Sequence, residues 1–332
     1  MTRTTRRPVR ARVAHSLSAV ALMIAGALLW AEPAAACTVC QCGTTTLTGG
    51  HAPQADTDTG GTWIAEVEGR AQRFTMGSDE QNALRVDDLR LDVGTSLRVG
   101  AGIRLGVAVP WVVREARWNN GERHRGVGFG DLSAQAIHAW WKPSVGLFGT
   151  SWVAVRMPTS PTLRHSDGRR LDHDAQTGAG SWIPSIGAGV GGWHGAAVWR
   201  VDVSAAIPGP SRFDYHPSSA VLSTASAGWV ALPWLTVQGR VDTRWEAGRA
   251  LADGPDPNSG GTIVTLSPEA QFSFDGRFFL IAAWRAPVWE RLQGAQTESA
   301  ITSLRLVWRS APTSLPVEAP WGPMAGGPPA AP

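Results

Sequence analysis

The chain's three cysteines, Cys37, Cys40 and Cys42, fall within six positions in the spacing C-x2-C-x-C. In an oxidising compartment such thiols pair, and one disulfide would leave the third for another chain or a lipid anchor. As thiolates they would instead suit a soft metal such as Cu(I), and through it a periplasmic metal or redox partner. No histidine follows closely enough to complete a zinc or haem motif. A second group, His165, Asp167, Asp172, His173 and Asp174, lies in a long polar stretch and suits either a divalent cation or plain solvation. Hydrolytic chemistry would need a Ser or Asp nucleophile beside a histidine. None stands in a diagnostic motif, so no catalytic residue is assigned and the chain reads as a non-enzyme.

The remaining charge is arranged in rows. From Leu235 to Glu246, Leu235, Val237, Gly239, Val241, Thr243 and Trp245 alternate with Thr236, Gln238, Arg240, Asp242, Arg244 and Glu246. Successive strand side chains point to opposite faces, so this is a strand with one apolar and one charged surface. The same alternation elsewhere groups Glu66, Glu68, Arg70, Arg90, Asp92, Arg98, Arg104, Arg156, Arg200 and Asp202 with Arg240, Asp242, Arg244 and Glu246. In a soluble sandwich these charges would meet water; in a membrane barrel they would line a wet lumen while the apolar face met lipid.

The leader favours the membrane. Arg3, Arg6, Arg7, Arg10 and Arg12 precede the apolar run from Val20 to Trp30 and the small-residue site Ala34-Ala35-Ala36. That is a secretory signal peptide over 1–36, with the mature chain starting at Cys37. Its removal takes the formal charge from +3 to −1, which excludes nucleic acid as a partner. No later apolar run reaches the ~18 residues of a membrane helix, so a membrane-spanning form must be a closed barrel.

Beyond a Thr/Gly/Asp-rich segment over 37–61, alternating segments number twelve and fill residues 62–309. They run from Thr62–Phe74 to Glu298–Trp308, with one expected over about Gln176–Gly192. Asp275-Gly276 marks a two-residue hairpin. Connections alternate between short turns and long polar loops. The pattern predicts an all-β, transmembrane, antiparallel up-and-down barrel of about twelve strands in a bacterial outer membrane, with both termini periplasmic. Seventeen tryptophans against one tyrosine supply interfacial girdles, with Trp63, Trp111, Trp118, Trp140, Trp141, Trp193, Trp234, Trp245, Trp289 and Trp308 near strand ends. Twelve strands enclose more space than side chains fill, so the interior is wet or plugged. Thr302–Trp308 resembles the terminal aromatic strand read by the outer-membrane assembly machinery. The Pro/Ala/Gly-rich stretch over 310–332 reads as an unfolded tail.

Three segments resemble the outer-membrane transporter family of the MetA pathway of phenol degradation: Ala154-Val-Arg-Met-Pro-Thr159, Thr177-Gly-Ala-Gly-Ser-Trp182, and Arg285-Ala-Pro-Val-Trp289 through Gly294-Ala-Gln296. Ser160 stands where that family prefers Gly, and Ile183 where an Asp is common. The resemblance implies a barrel passing small, often hydrophobic or aromatic solutes, and supplies no catalytic residues.

Overall fold

A computed structural model describes residues 62–78, 83–100, 102–142 and 146–310. The leader over 1–36, the segment with Cys37, Cys40 and Cys42, and the tail after Ser310 lie outside the described residues. In chain order the strands are β1 (Trp63–Met76), β2 (Leu84–Gly100), β3 (Ile103–Trp118), β4 (Arg123–Phe129), β5 (Ser133–Lys142), β6 (Leu147–Arg156), β7 (Ile183–His194) and β8 (Ala197–Ala206). They continue with β9 (Tyr215–His216), β10 (Ala220–Leu232), β11 (Leu235–Glu246), β12 (Ala250–Leu251), β13 (Gly254–Pro255), β14 (Gly261–Phe274), β15 (Phe278–Leu292), β16 (Gln296–Glu298) and β17 (Ile301–Arg309).

Twelve of these close into an antiparallel barrel in which each strand pairs with its sequence neighbour and β17 returns to β1. Ala65 pairs with Trp308 on one side and Thr95 on the other. The seam is pinned where Trp63 and Ser310 exchange hydrogen bonds of 2.9 Å. Closure leaves no open edge, so every stave satisfies its backbone groups within the wall, the condition for crossing hydrocarbon. β4 extends the wall beside the far half of β3, and β16 does the same beside β1. The three short strands β9, β12 and β13 form a separate small sheet.

The start of β1 and the end of β17 lie with the short turns at one end of the barrel, and the long connections lie at the other. The β14–β15 turn shows why the sequence folds tightly there. Asp275 and Gly276 both take positive φ, 52° and 70°, as a two-residue hairpin of the favoured twist requires.

Two segments differ from their sequence-based expectation. The polar stretch Trp118 to Arg125 is a tight hairpin whose far side, from Arg123, is already strand. The segment from Gln176 to Trp182, expected as strand, joins no sheet. The Gln176 amide instead bonds to the carbonyls of Leu163 and Leu171 and to the Leu163 N–H, and Thr177 donates to the Phe129 carbonyl.

The outward face is apolar in successive rows. Leu89, Leu91 and Val93 of β2 and Leu105, Val107 and Trp111 of β3 are all exposed, with Leu91 directly beside Trp111. From Ile103 to Val113 the rows climb roughly 33 Å along the strand at about 3.3 Å per residue, or about 25 Å at a common barrel tilt. Rings border the belt. At the turn end Trp63, Trp140, Trp229, Trp234 and Trp308 are exposed, and at the loop end Trp111, Trp182, Trp245 and Trp289. Trp118 and Trp193 belong to no girdle: Trp118 packs on an inner apolar cluster and Trp193 stacks on the buried Phe148.

Candidate functional site

Inward-facing positions carry the charge, and register brings the charges together. Glu68, Arg70, Arg90 and Asp92 form one cluster on β1 and β2. Asp92, only 2% exposed, accepts from Arg70 at 2.7 Å and from Arg90 at 2.7 and 2.8 Å. Arg305 of β17 reaches Glu68 at 2.7 Å. Glu66 is buried one step nearer the turn end.

A second cluster spans β10, β11, β14 and β15. Asp242 accepts from Thr224 at 2.6 Å and Arg240 at 2.7 Å, with Arg285 at 3.3 Å, while Arg240 also lies 3.6 Å from Glu269. On β6 and β8, Arg200 bonds to Asp202 and to Thr150 at 2.8 Å, and its guanidinium lies over the Phe148 ring. Nearer the loop end, Arg244 bridges Glu246 at 3.2 Å and Glu298 at 2.8 Å. Arg104 lies 3.5 Å from the Ser96 hydroxyl, and Arg98 and Arg156 are half-buried on the inner wall.

Four of these contacts share one local device. Arg90-Leu91-Asp92, Arg200-Val201-Asp202, Arg240-Val241-Asp242 and Arg244-Trp245-Glu246 each set arginine and carboxylate two apart on one strand. The pair therefore shares the inner face while the residue between looks outward. Arg285, Arg305, Glu269 and Glu298 join these clusters too, beyond the inward residues grouped from the alternation. The alternation Leu304, Leu306, Trp308 already placed Arg305 on the inner face.

The wall of β5 to β7 differs in character. Trp152 and Phe148 point inward on β6, and opposite them β7 turns Gly187 and Gly191 inward. A Cβ at Gly187 would overlap the Trp152 ring, and one at Gly191 the Phe148 ring. The missing side chains leave the space that both rings occupy.

Above the charged zone the long connections fold over the barrel mouth. Leu171 and Ala175 join Phe74, Met76, Leu84, Val86 and Ala116 in one apolar cluster, bringing the 157–182 connection against the inner wall. Arg114, 2% exposed, fastens it there, donating to Asp88 at 2.9 Å and to the Gln176 carbonyl at 3.0 Å. Asp131 receives the N–H groups of Ser160 and Gly180, and Tyr215 of the 207–219 connection donates to the Ala179 carbonyl at 3.1 Å. Arg249 of the 247–260 connection holds Asp174 and Asp256. The three connections thus form one interlocked cap.

The residues considered for a divalent cation are only partly gathered in this cap. Asp172, His173 and Asp174 have ligand atoms within 4.8 Å of one another, but His165 packs on His124 and Asp167 pairs with the exposed Arg169. Asp174 is committed to Arg249, so the donor set is better explained by salt bridging. Burial alone would raise the Asp172 carboxyl, but the bond from His173 and its charge outweigh that and hold it at about 2. Burial likewise opposes charge on His173, yet Asp174 and Asp172 hold it above its ordinary range.

No family model and no curated protein matches the sequence. The resemblance to the phenol-degradation family therefore rests on the three short segments alone. Among solved structures, an outer-membrane channel from Pseudomonas putida F1 is similar over 76% of this chain and 96% of its own, with a TM-score of 0.60 and 12% identity. The transport unit of the Escherichia coli autotransporter AIDA-I (TM-score 0.49, 9% identity, 79% and 93% covered) and the P. putida toluene transporter TodX (0.38, 10%, 77% and 92%) are looser matches. The first likeness establishes a shared fold, that of an outer-membrane barrel.

Proposed function

We propose that this chain is an outer-membrane channel through which small solutes pass passively, with hydrophobic or aromatic compounds as the solute class. One observation carries the reading: the polarity of the wall is inverted. Leu89, Val93, Val153, Val203 and Leu304 are exposed around the outside, whereas Asp92, Arg114, Arg200, Asp242 and Glu298 are buried within. Such a wall is stable where hydrocarbon lies outside and polar contacts lie inside.

In this reading the turn end and both termini face the periplasm and the capped end faces outward, with outer-membrane lipid around the wall and the assembly machinery as a partner in insertion. The charged clusters are largely self-neutralised, so they repel neither sign of ion strongly. The rings of Trp152 and Phe148 make this sector of the inner wall apolar, packed beneath neighbouring side chains, Phe148 under Arg200 and Trp193. The resemblance to the phenol-degradation transporters supports the same solute class. For Cys37, Cys40 and Cys42 the proposal is a disulfide between two of them, which thiol titration and metal analysis distinguish from a Cu(I) site.

Liposome swelling tests the channel. Vesicles holding the purified chain should swell faster in small phenolic solutes and sugars than protein-free vesicles, and planar bilayers should show discrete conductance steps. Inserted barrels that pass neither ions nor solutes would sink the transport reading.

A further inference from the structure

At the loop end, the outward rows of β1 to β4 change character within a single step. The row Ala71, Leu89, Val113, Val127 belongs to the apolar belt. The next row outward is Arg73, Asp87, Glu115 and Arg125, and the one after it Thr75, Arg85, Arg117 and Arg123.

Carboxylates in these rows are already engaged. Asp87 pairs with Arg73, and Glu115 with Arg117 at 2.8 Å. Glu122 in the adjoining turn is bonded to His124 at 2.9 Å. Arg85, Arg123 and Arg125 are exposed, and among the described residues none of them forms a salt bridge: Glu115, the cross-strand partner of Arg125, is taken up by Arg117. Arg85, Arg117 and Arg123 are direct cross-strand partners in one row, an arrangement in which like charges repel. Arg117 is met by Glu115 at 2.8 Å and Asp87 at 3.8 Å, which leaves Arg85 and Arg123 on either side of it, with Arg125, as the charges an outside anion would match. The device is confined to one sector, for on β7, β8, β10 and β11 the outward residues Ile186, Val203, Val221 and Trp245 stay apolar.

We propose that this patch binds the phosphate groups of a phosphorylated glycolipid in the outer leaflet, whose acyl chains lie along the apolar rows directly beneath. The inference rests on the membrane orientation given above. Arginine matches phosphate with paired, charge-assisted hydrogen bonds. The unbroken step from Leu89 and Val127 to Arg85 and Arg123 puts headgroup and acyl contacts on one face, which favours a lipid over a free anion.

The test uses the full chain purified in detergent, with lipid A as the probe and native mass spectrometry as the readout. Bisphosphorylated lipid A should stay bound at least about tenfold more tightly than dephosphorylated lipid A, since each basic side chain near an anionic surface adds on the order of 1 kcal/mol. The triple variant R85Q/R123Q/R125Q should lose that preference, while R291Q, which removes a lone outward arginine of β15, should keep it. Equal retention by the triple variant, with folding checked by heat-modifiable migration, would overturn the proposal, as would equal retention of the dephosphorylated lipid. Displacement of the lipid by an equal concentration of inorganic phosphate would also overturn it, because the site would then be one for the free anion. Failure of the membrane reading is seen separately, as a chain that does not insert into phosphatidylcholine vesicles before any lipid A is added.

Discussion

Arg249 and Asp174, separated by 75 residues in the sequence, meet at 3.1 Å in the cap, and each side chain is only 5% exposed. Arg249 also bonds to Asp256 and lies 3.8 Å from the Met76 sulfur of β1, so one guanidinium joins two connections to the wall. Arg249→Ala would leave two carboxylates buried without their cation, a change that costs about 3–5 kcal/mol in a folded interior. The loss falls on the cap, because the strand ladders do not involve Arg249. Trypsin should cut the 157–182 connection faster and single-channel conductance should rise, with the β-signal in circular dichroism unchanged. Parent-like conductance and proteolysis would show that the cap does not depend on this contact.

The cap should also respond to pH through Asp172 and His173, which lie 3.1 Å apart. Asp174, Arg249 and the Tyr215 ring also face the imidazole. His173 is held above its ordinary 6.5, so its contribution is complete below about 6.5 and is lost as pH rises through the raised value. Asp172 is held at about 2 against an ordinary 3.8, so its contribution is present above 3.8 and is lost only as pH falls toward 2. The cap is therefore tightest between these limits and loosens on the alkaline side. Proteolysis of the 157–182 connection should accelerate above pH 6.5 once corrected for the protease's own profile, and His173→Gln should flatten that dependence.

Much of the wall was legible because its determinants are local. A two-residue period needs only neighbours in sequence, and Arg240-Val241-Asp242 declares both its face and its ion pair within three residues. The cap is not legible in that way. Nothing near Asp174 announces Arg249, and Thr177-Gly-Ala-Gly-Ser-Trp182 looks like strand until Gln176 is seen spending its amide on Leu163 and Leu171. Glu298 is likewise isolated in sequence, and only the barrel's closure brings it to Arg244, 54 residues away.

Asp92 sits between Arg70 and Arg90 as their shared acceptor. Asp92→Asn keeps the volume but removes the negative charge, leaving two inward guanidinium groups with less compensation. Breaking a buried pair of this kind costs about 3–5 kcal/mol, a loss the closed ladder should survive with a lower melting temperature. Rings of fixed charge set pore selectivity, so the variant should shift toward anions. The reversal potential in a KCl gradient measures this directly, and an unchanged value would place Asp92 away from the conducting path.

The β6–β7 wall offers a test of whether the lumen's width is set by glycine. Gly187 is directly opposite Trp152, whose ring occupies the space a Cβ would need, and Trp152 itself is 6% exposed. Gly187→Leu forces either the ring or the new side chain away from the wall. Overpacking of this sort costs about 1–3 kcal/mol where the interior is tight. Trp152 is already packed among buried inward side chains, so the cost should fall within that range and the consequence is steric. Conductance and phenolic-solute swelling should both fall in Gly187→Leu. In Trp152→Ala, conductance should rise, because the ring no longer fills that part of the interior. The double variant should recover parent-like conductance. If Gly187→Leu leaves both readouts unchanged in a folded barrel, the Trp152 wall does not border the solute path.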